Sequence, residues 1–190
     1  MDSGLESCLS ISRVGLGFDA HPFVKGRPLK LGGIEISHPR GLKGHSDGDA
    51  LLHAIADAIL GAAGLGSLGE QFPDTDPSWK GTDSAIFVTR ARDLAAERGL
   101  EVGNLDAVVV AESPKLVPHV PEIRRRLAVL LGVPADSVSV RGTSSNGLGF
   151  TGRGEGIAAM AVVLLNPRSK TRAAQRSAAS QSRIQNPKPK

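Results

Sequence analysis

The sequence predicts an α+β fold, an α/β sandwich in which one mixed sheet carries three main helices on one face. Two observations support this prediction: helical and strand patterns alternate along the chain, and we find no internal repeat. The chain has 190 residues, of which 40% are hydrophobic, so it can bury one sizeable core but is short for two. We therefore expect a single domain, which the elements below place over residues 13–166.

The first half of the chain contains three strand patterns and one helix pattern. Residues 13–18 are typical of a strand, and residues 29–36 predict two short strands about a double-glycine turn, which supplies positive φ. Ser46, followed three residues later by Asp49, resembles a capping box and predicts a helix that runs to about Ala63. We expect a loop after it.

The second half alternates in the same way, with glycine or proline at the helix ends. The predicted elements are a helix over 84–98, a strand over 105–111, a helix from Pro121 to Gly132, and strands over 137–141 and 156–165. These elements complete one sheet with helices packed on it.

The basic character of the chain comes from its last residues. The net charge is +4 and the isoelectric point is about 9.6, but residues 167–190 hold seven Lys or Arg and no acidic residue, which leaves the rest at −3. That segment has one large apolar residue, so we expect a disordered, solvated tail. An RNA-binding arm is the alternative, but the tail has no aromatic residue for base stacking and does not favour a nucleic-acid partner.

The composition predicts a cytoplasmic protein. Cys8 is the single cysteine and cannot form an internal disulfide, although a cysteine-poor secreted protein would give the same count. No apolar run approaches the roughly 20 residues that span a bilayer, so we expect no membrane association. Residues 1–12 form a short extension that lacks the features of a signal or transit peptide.

Asp19, His21 and His53 form a candidate metal site. Residues two apart on a strand share a face and lie about 6.6 Å apart, so one ion can contact both Asp19 and His21. Two imidazoles and one carboxylate leave a fourth position open on tetrahedral zinc, as catalytic sites do. The same ligands also suit non-haem iron, and the spacing alone does not bring His53, which lies on the first helix, to the other two.

Three further segments have patterns typical of anion-binding loops. Residues 44–49 place backbone N–H groups and His45 at a helix N-terminus, which attracts phosphate, although plain helix capping explains the pattern equally well. Residues 72–76 and the glycine-rich residues 147–156 serve either anion binding or tight turns, and no Walker lysine is present.

Five separated motifs occur in an order that resembles one known family. They are residues 17–21, 45–53, 72–76, 111–117 and 150–156. Together they make the chain, from about residue 13 to residue 165, similar to the 2-C-methyl-D-erythritol 2,4-cyclodiphosphate synthases of the non-mevalonate isoprenoid pathway.

This resemblance implies a reaction and an assembly. The substrate would be 4-diphosphocytidyl-2-C-methyl-D-erythritol 2-phosphate, whose 2-phosphate attacks its own β-phosphorus to give the 2,4-cyclodiphosphate and CMP. The enzyme would be a homotrimer with active sites at subunit interfaces. Each subunit would hold one Zn²⁺ through Asp19, His21 and His53, and a second ion, Mg²⁺ or Mn²⁺, would bind with the substrate.

The resemblance also assigns roles to individual residues. His45 and Ser144 match positions that stabilise the transition state. Phe150, Arg153 and Glu155 match residues that line a cavity on the trimer axis, which would bind anionic isoprenoid diphosphates; a structural ring of salt bridges is the alternative. The residues that match substrate-binding positions are Ser46, Ser67, Leu68, Gly69, Phe72, Pro73, Asp74, Thr75, Asp76, Ala111, Glu112, Ser113, Pro114, Lys115, Leu116, Val117, Thr143, Ser145, Asn146, Phe150 and Arg153.

Three positions depart from the family pattern. Leu16 stands where many members carry His, Ser67 where an acidic residue often holds the ribose, and Asn146 where Glu is frequent. A neutral Ser67 should bind ribose more weakly than a carboxylate would, because charge-assisted hydrogen bonds are roughly twice as strong. Two alternatives therefore stay open: a catalytically impaired nucleotide-binding homologue and a metal-dependent phosphodiesterase.

Overall fold

A computed structural model of the chain describes residues 11–168. Its strands are β1 (Arg13–Val24), β2 (Leu29–Leu31), β3 (Ile34–Ile36), β4 (Gly41–Leu42), β5 (Leu100–Val110), β6 (Val138–Thr143) and β7 (Gly156–Pro167). Its α-helices are α1 (Ala50–Ala63), α2 (Leu68–Gln71), α3 (Ala85–Glu97), α4 (Val120–Leu131) and α5 (Gly149–Gly152). Single 3₁₀ turns cover Pro77–Trp79 and Ala135–Ser137.

The sheet is mixed, as the sequence predicts. Five strands lie in the order β4-β1-β7-β5-β6, and β2 and β3 form a separate hairpin. The pairs β1–β7 and β7–β5 are antiparallel, whereas β5 and β6 are parallel. Asp19 of β1 and Val109 of β5 both lie opposite Ala159 of β7, so the carboxyl ends of β1, β5 and β6 meet at one edge of the sheet.

The helices cover one face of this sheet. The inward residues of β5 and β7 are buried, and α1 packs across β1 and β7 with α3 beside it. On the other face, Val14, Leu16 and Phe18 of β1 are exposed, as are Met160 and Val162 of β7. The fold is therefore an α+β sandwich whose second sheet face is open in the single chain.

Glycines set the spacing between α1 and β1. A Cβ atom added at Gly15 would lie 1.9 Å from the carbonyl oxygen of Ala58, and one added at Gly17 would lie 2.0 Å from that of Ala54. No side chain fits at either position, so the helix backbone rests directly on the strand. This contact brings His53, the neighbour of Ala54, towards the end of β1.

Several element boundaries differ from the predicted ones. Helix α1 begins at Ala50 with Asp49 as its N-cap, because the Asp49 side chain accepts from the N–H of Leu52, whereas Ser46 lies outside the helix. Strand β1 continues to Val24 because β7 and β4 pair with its second half. The segment predicted as a loop after α1 contains the short helix α2, and the two-residue strand β4 gave no signal in the sequence.

The ends of the folded part also differ slightly. Strand β7 runs through Pro167, and the N–H of Arg168 donates to the carbonyl of Gly99, so the first two residues of the predicted tail belong to the folded part. Residues 169–190 and most of the predicted N-terminal extension lie outside the described residues. Within residues 11–168, no helix is both long enough and apolar enough to cross a membrane.

Candidate metal centre and active site

Asp19, His21 and His53 converge at the end of β1. Gly15, Gly17, Asp19 and His21 alternate onto the face of the strand that meets α1, and α1 presents His53 to the two β1 side chains. The Asp19 Oδ2 atom lies 2.8 Å from His21 Nε2 and 2.9 Å from His53 Nδ1, and the two ring nitrogens are 3.0 Å apart. The structure therefore brings together the three residues that the sequence predicts.

The side chains of this cluster shift one another's pKa values. Burial alone would raise the pKa of Asp19, but hydrogen bonds and charge from His21 and His53 outweigh it and hold that pKa well below its usual range. Burial likewise opposes the charged form of His21, yet the Asp19 carboxylate raises the pKa of His21 above its ordinary value. The carboxylate is thus ionised and faces two imidazoles.

The donor set fits a divalent metal ion. One atom from each of the three residues lies within 4.8 Å of the others, and the residues are half-buried or buried. Imidazole nitrogen and carboxylate oxygen are the ligands that zinc takes in catalytic sites, where three protein ligands leave one position for water or substrate. The same donors also suit iron, so the three residues could hold a divalent metal ion but do not select zinc.

The outer side of His53 contacts two buried serines. His53 Nε2 lies 2.9 Å from Ser46 Oγ and 2.9 Å from Ser84 Oγ. The resemblance makes Ser46 a substrate-binding residue, but its side chain is buried and is used in this contact. Ser84 was missed in the sequence because only the tertiary fold brings it, at the start of α3, to a residue 31 positions away.

His45 lies on a loop whose backbone is fixed from two sides. Arg27 donates to the carbonyl oxygens of Gly44 and Ser46, and the N–H of Gly81 donates to the carbonyl of His45. The His45 side chain itself is exposed. The loop therefore presents His45 to solvent on a backbone held by hydrogen bonds. No local motif in the sequence indicates that Arg27 helps to hold this loop.

The segment after α1 is hydrogen-bonded back to that helix. Ser67 and Glu70 form a reciprocal capping box around α2, which contains Leu68 and Gly69, and the N–H of Leu68 donates to Asp57 of α1. The Ser67 oxygen accepts from the N–H of Glu70, which leaves its hydrogen and a second lone pair for a ligand.

The rest of that segment combines an aromatic contact with an exposed loop. Phe72 packs against Trp79 and Phe87, with ring centroids 5.3 and 5.0 Å away, and Phe87 also contacts His53. Asp76 caps the following 3₁₀ turn, and its hydrogen bonds from Ser78 lower the Asp76 pKa. The intervening residues Pro73, Asp74 and Thr75 are exposed.

The other predicted pocket segments lie side by side at the ends of the parallel strands β5 and β6. They are residues 111–117, which include Ala111, Ser113, Pro114, Lys115, Leu116 and Val117, and residues 143–146. The N–H of Ala111 donates to the carbonyl of Thr143, and Glu112 Oε1 accepts from the N–H groups of Ser145 and Gly147. Leu116 is buried, whereas Lys115 and Val117 are exposed.

Ser144 and Asn146 lie together in the second of these segments. The Ser144 hydroxyl donates to Asn146 Oδ1 at 3.2 Å, and Asn146 has a φ of 53°, a left-handed conformation that Asn tolerates well. Both side chains are exposed or half-buried, so they are available to a ligand.

In the single chain these two groups of residues remain separate. Asp19 and Val109 flank the same residue of β7, so the metal cluster and the 111–117 segment are two strand spacings, about 10 Å, apart at the level of the sheet. None of the hydrogen bonds found among residues 11–168 joins them. Phe150 is exposed, and the exposed Arg153–Glu155 ion pair, at 2.7 Å, adjoins the end of β1, where the N–H of Phe23 donates to the carbonyl of Glu155.

Comparison with known proteins gives one consistent result. The profile of the YgbB family matches residues 12–166. The chain is 52% identical over 153 residues to the 2-C-methyl-D-erythritol 2,4-cyclodiphosphate synthases of Bacillus mycoides and of Bacillus cereus, covering 80% of this chain and 97% of each relative.

Solved structures share the fold. A structure of 2C-methyl-D-erythritol-2,4-cyclodiphosphate synthase in a CDP-bound form has a TM-score of 0.75 at 41% identity, covering 81% of this chain and all of the other. A CDP complex of IspF from Plasmodium falciparum has a TM-score of 0.73 at 33% identity, covering 83% and 97% of the two chains. The α+β sandwich and the similarity along nearly the whole described chain show that the protein belongs to the YgbB family.

Proposed function

We propose that the protein converts 4-diphosphocytidyl-2-C-methyl-D-erythritol 2-phosphate to 2-C-methyl-D-erythritol 2,4-cyclodiphosphate and CMP. The observation that carries the proposal is the convergence of Asp19, His21 and His53 in a chain that is 52% identical to 2-C-methyl-D-erythritol 2,4-cyclodiphosphate synthases. Both reacting phosphates belong to one substrate molecule, so the protein has only to fold the substrate and bring its ends together. No side-chain nucleophile is required.

The chain's own residues supply positioning and charge. His45, exposed on its fixed loop, and Ser144 would donate hydrogen bonds to the transferred phosphoryl group as its charge redistributes. The loop 73–76, exposed over its first three residues, would hold the methylerythritol phosphate beside the metal cluster. The paired segments 111–117 and 143–146 offer backbone N–H groups, hydroxyls and Lys115 to the cytidine diphosphate.

Metal ions complete the proposed site. Zinc held by Asp19, His21 and His53 would supply a Lewis acid for a phosphate oxygen. Magnesium or manganese is expected to enter with the substrate diphosphate, because such ions keep several waters and bind phosphates readily.

The family resemblance implies a homotrimer, and the open sheet face is consistent with one. The open sheet face exposes Val14, Leu16 and Phe18, with relative exposures of 67%, 67% and 59%. Contiguous apolar surface of this kind is typical of a protein–protein contact. Packing of three sheets through these faces would also place the 111–117 segment of one subunit against the metal cluster of its neighbour.

The test is product analysis. Purified protein is incubated with the substrate, zinc and magnesium, and the products are followed by phosphorus NMR. The proposal expects a cyclic diphosphate and one equivalent of CMP. A linear phosphate product would identify a phosphodiesterase instead, and binding of the nucleotide without release of CMP would identify a catalytically impaired homologue.

A further inference from the structure

The side of His53 that faces away from Asp19 and His21 is enclosed by buried hydroxyl groups. Ser84 is fully buried and Ser46 nearly so, and both oxygens lie 2.9 Å from His53 Nε2. Because both serines are buried, their hydroxyl groups are the hydrogen-bond partners available to the ring nitrogen on this side.

The direction of the hydrogen bonds beyond Ser84 is fixed by a carboxylate. Ser84 Oγ is hydrogen-bonded to Asp47 Oδ1, and an ionised carboxylate only accepts, so the Ser84 hydroxyl donates to Asp47. Asp47 Oδ1 also accepts from the N–H of Asp49, and Lys30 Nζ lies 3.4 Å from Asp47 Oδ2. The lone pairs of Ser84 Oγ are then free to accept from His53 Nε2–H.

Ser46 is compatible with the same arrangement. Its oxygen accepts from the N–H of Gly48, and it lies 3.1 Å from Ser84 Oγ, to which its own hydrogen can be donated. It therefore provides a second acceptor near Nε2 without reversing the bond from Ser84 to Asp47.

We propose that Asp47 and Ser84 are positioning residues, which hold the ring of His53 with its proton on Nε2 so that Nδ1 is left to bind the metal. This inference rests on the proposed function, because it assumes that the triad of Asp19, His21 and His53 binds zinc. A neutral imidazole carries one proton, and the Asp19 carboxylate, 2.9 Å from Nδ1, would otherwise hold it there. The Asp47–Ser84 pair competes for that proton on the opposite side of the ring and keeps the ligand atom free.

The experiment measures zinc affinity by chelator competition on the full-length chain. Ser84→Ala and Asp47→Ala should each weaken zinc binding by about 10- to 100-fold, the usual cost of removing a partner that orients a histidine ligand. The double variant should lose little more than either single variant, because both changes interrupt one hydrogen-bonded path. If Asp47 acted only through its charge at a distance, the two losses would add.

Two further variants and one NMR spectrum test whether the effect on zinc affinity comes from the hydrogen bonds to His53. Asp57→Ala removes a carboxylate one helical turn from His53 that bonds Leu68 rather than the ring, so its zinc affinity should stay unchanged. Asp47→Asn keeps an acceptor for Ser84 and should retain part of the affinity. Nitrogen NMR of the zinc-loaded, unaltered protein should show the His53 proton on Nε2, with a resonance that Ser84→Ala shifts.

The outcomes separate the two proposals. Failure of the unaltered protein to bind zinc would overturn the metal site and the positioning role with it. Equal zinc affinity in correctly folded Ser84→Ala and Asp47→Ala proteins would overturn the positioning role alone. Should Ser84→Ala fail to fold, the Asp47 variants and the NMR spectrum still decide between these results.

Discussion

At the scale of single residues, His53 uses both of its ring nitrogens, one towards Asp19 and one towards the buried serines. His53→Ala should remove one metal ligand and with it most zinc and activity. The helix should persist, because Ala has the highest helix propensity. Metal analysis beside circular dichroism checks this. Undiminished zinc content and activity in a helical variant would refute the assignment of His53.

Asn146 is the departure from the family pattern nearest to the proposed chemistry. Asn146→Asp adds a negative charge but hardly changes the shape of the side chain. Asp still offers an oxygen that accepts from Ser144, and it also tolerates the left-handed backbone conformation. Magnesium prefers anionic oxygen, so the magnesium concentration at half-maximal rate should fall while zinc content stays the same.

The control for this prediction is Asn104→Asp, which adds the same charge to an exposed position about 20 Å along β5 from Val110. It should leave the magnesium dependence unchanged. If Asn146 only hydrogen-bonds the substrate, the added charge would repel the diphosphate. An unchanged magnesium midpoint with a raised KM would therefore contradict the metal role.

At the scale of elements, the site depends on how closely α1 approaches β1. Gly17→Ala would place a Cβ atom against the Ala54 carbonyl and push the helix outwards. We expect a loss of about 1 to 3 kcal/mol of unfolding free energy, the usual cost of overpacking, together with weaker zinc binding because His53 moves with Ala54. Thermal melts and zinc titration measure the two effects.

The matched control is Gly61→Ala on the same helix, where an added Cβ meets no atom within 4 Å. This change should stabilise the protein by about 0.5 to 1 kcal/mol, because Gly in a helix interior loses more backbone entropy than Ala. If Gly17→Ala were as stable as this control and kept its zinc, close helix–strand contact would not determine the site.

At the scale of the whole molecule, the open sheet face should mediate trimer formation. Leu16→Lys places a charge in the middle of that face, so we expect a monomer by light scattering. Activity should be lost, but zinc should remain, since one chain supplies all three ligands. The control, Val129→Lys, alters an equally exposed residue on α4 and should leave the trimer intact. If both variants dissociated, or neither did, the open sheet face would not be the trimer interface.

The basic tail should contribute charge but little stability. A cut after Arg168 keeps the N–H that bonds Gly99 and removes six Lys or Arg residues, which takes the net charge from +4 to −2. Because the removed residues carry little apolar surface, the melting temperature should change little while the isoelectric point drops. A large fall in Tm would show that the tail packs against the folded part.

The sequence by itself determined the mixed α+β order, the candidate ligands Asp19, His21 and His53, and the loops proposed to bind the substrate. It could do so because strand alternation, helix caps and motif order are local properties of the chain. Element boundaries were less predictable: Ser46 has the pattern of a cap, but Asp49 caps the helix because it can also accept the N–H groups of Gly32 and Gly33.

Only the tertiary structure decided which distant residues meet. The contact of His53 with Asp19 requires the bare backbone of Gly17, and the roles of Ser84, Asp47 and Arg27 depend on hydrogen bonds between segments that no local pattern links. Such contacts depend on how closely whole elements pack, because a hydrogen bond or a metal ligand tolerates errors of only a few tenths of an ångström. Sequence periodicity predicts which face of an element turns inward, whereas packing determines what that face touches.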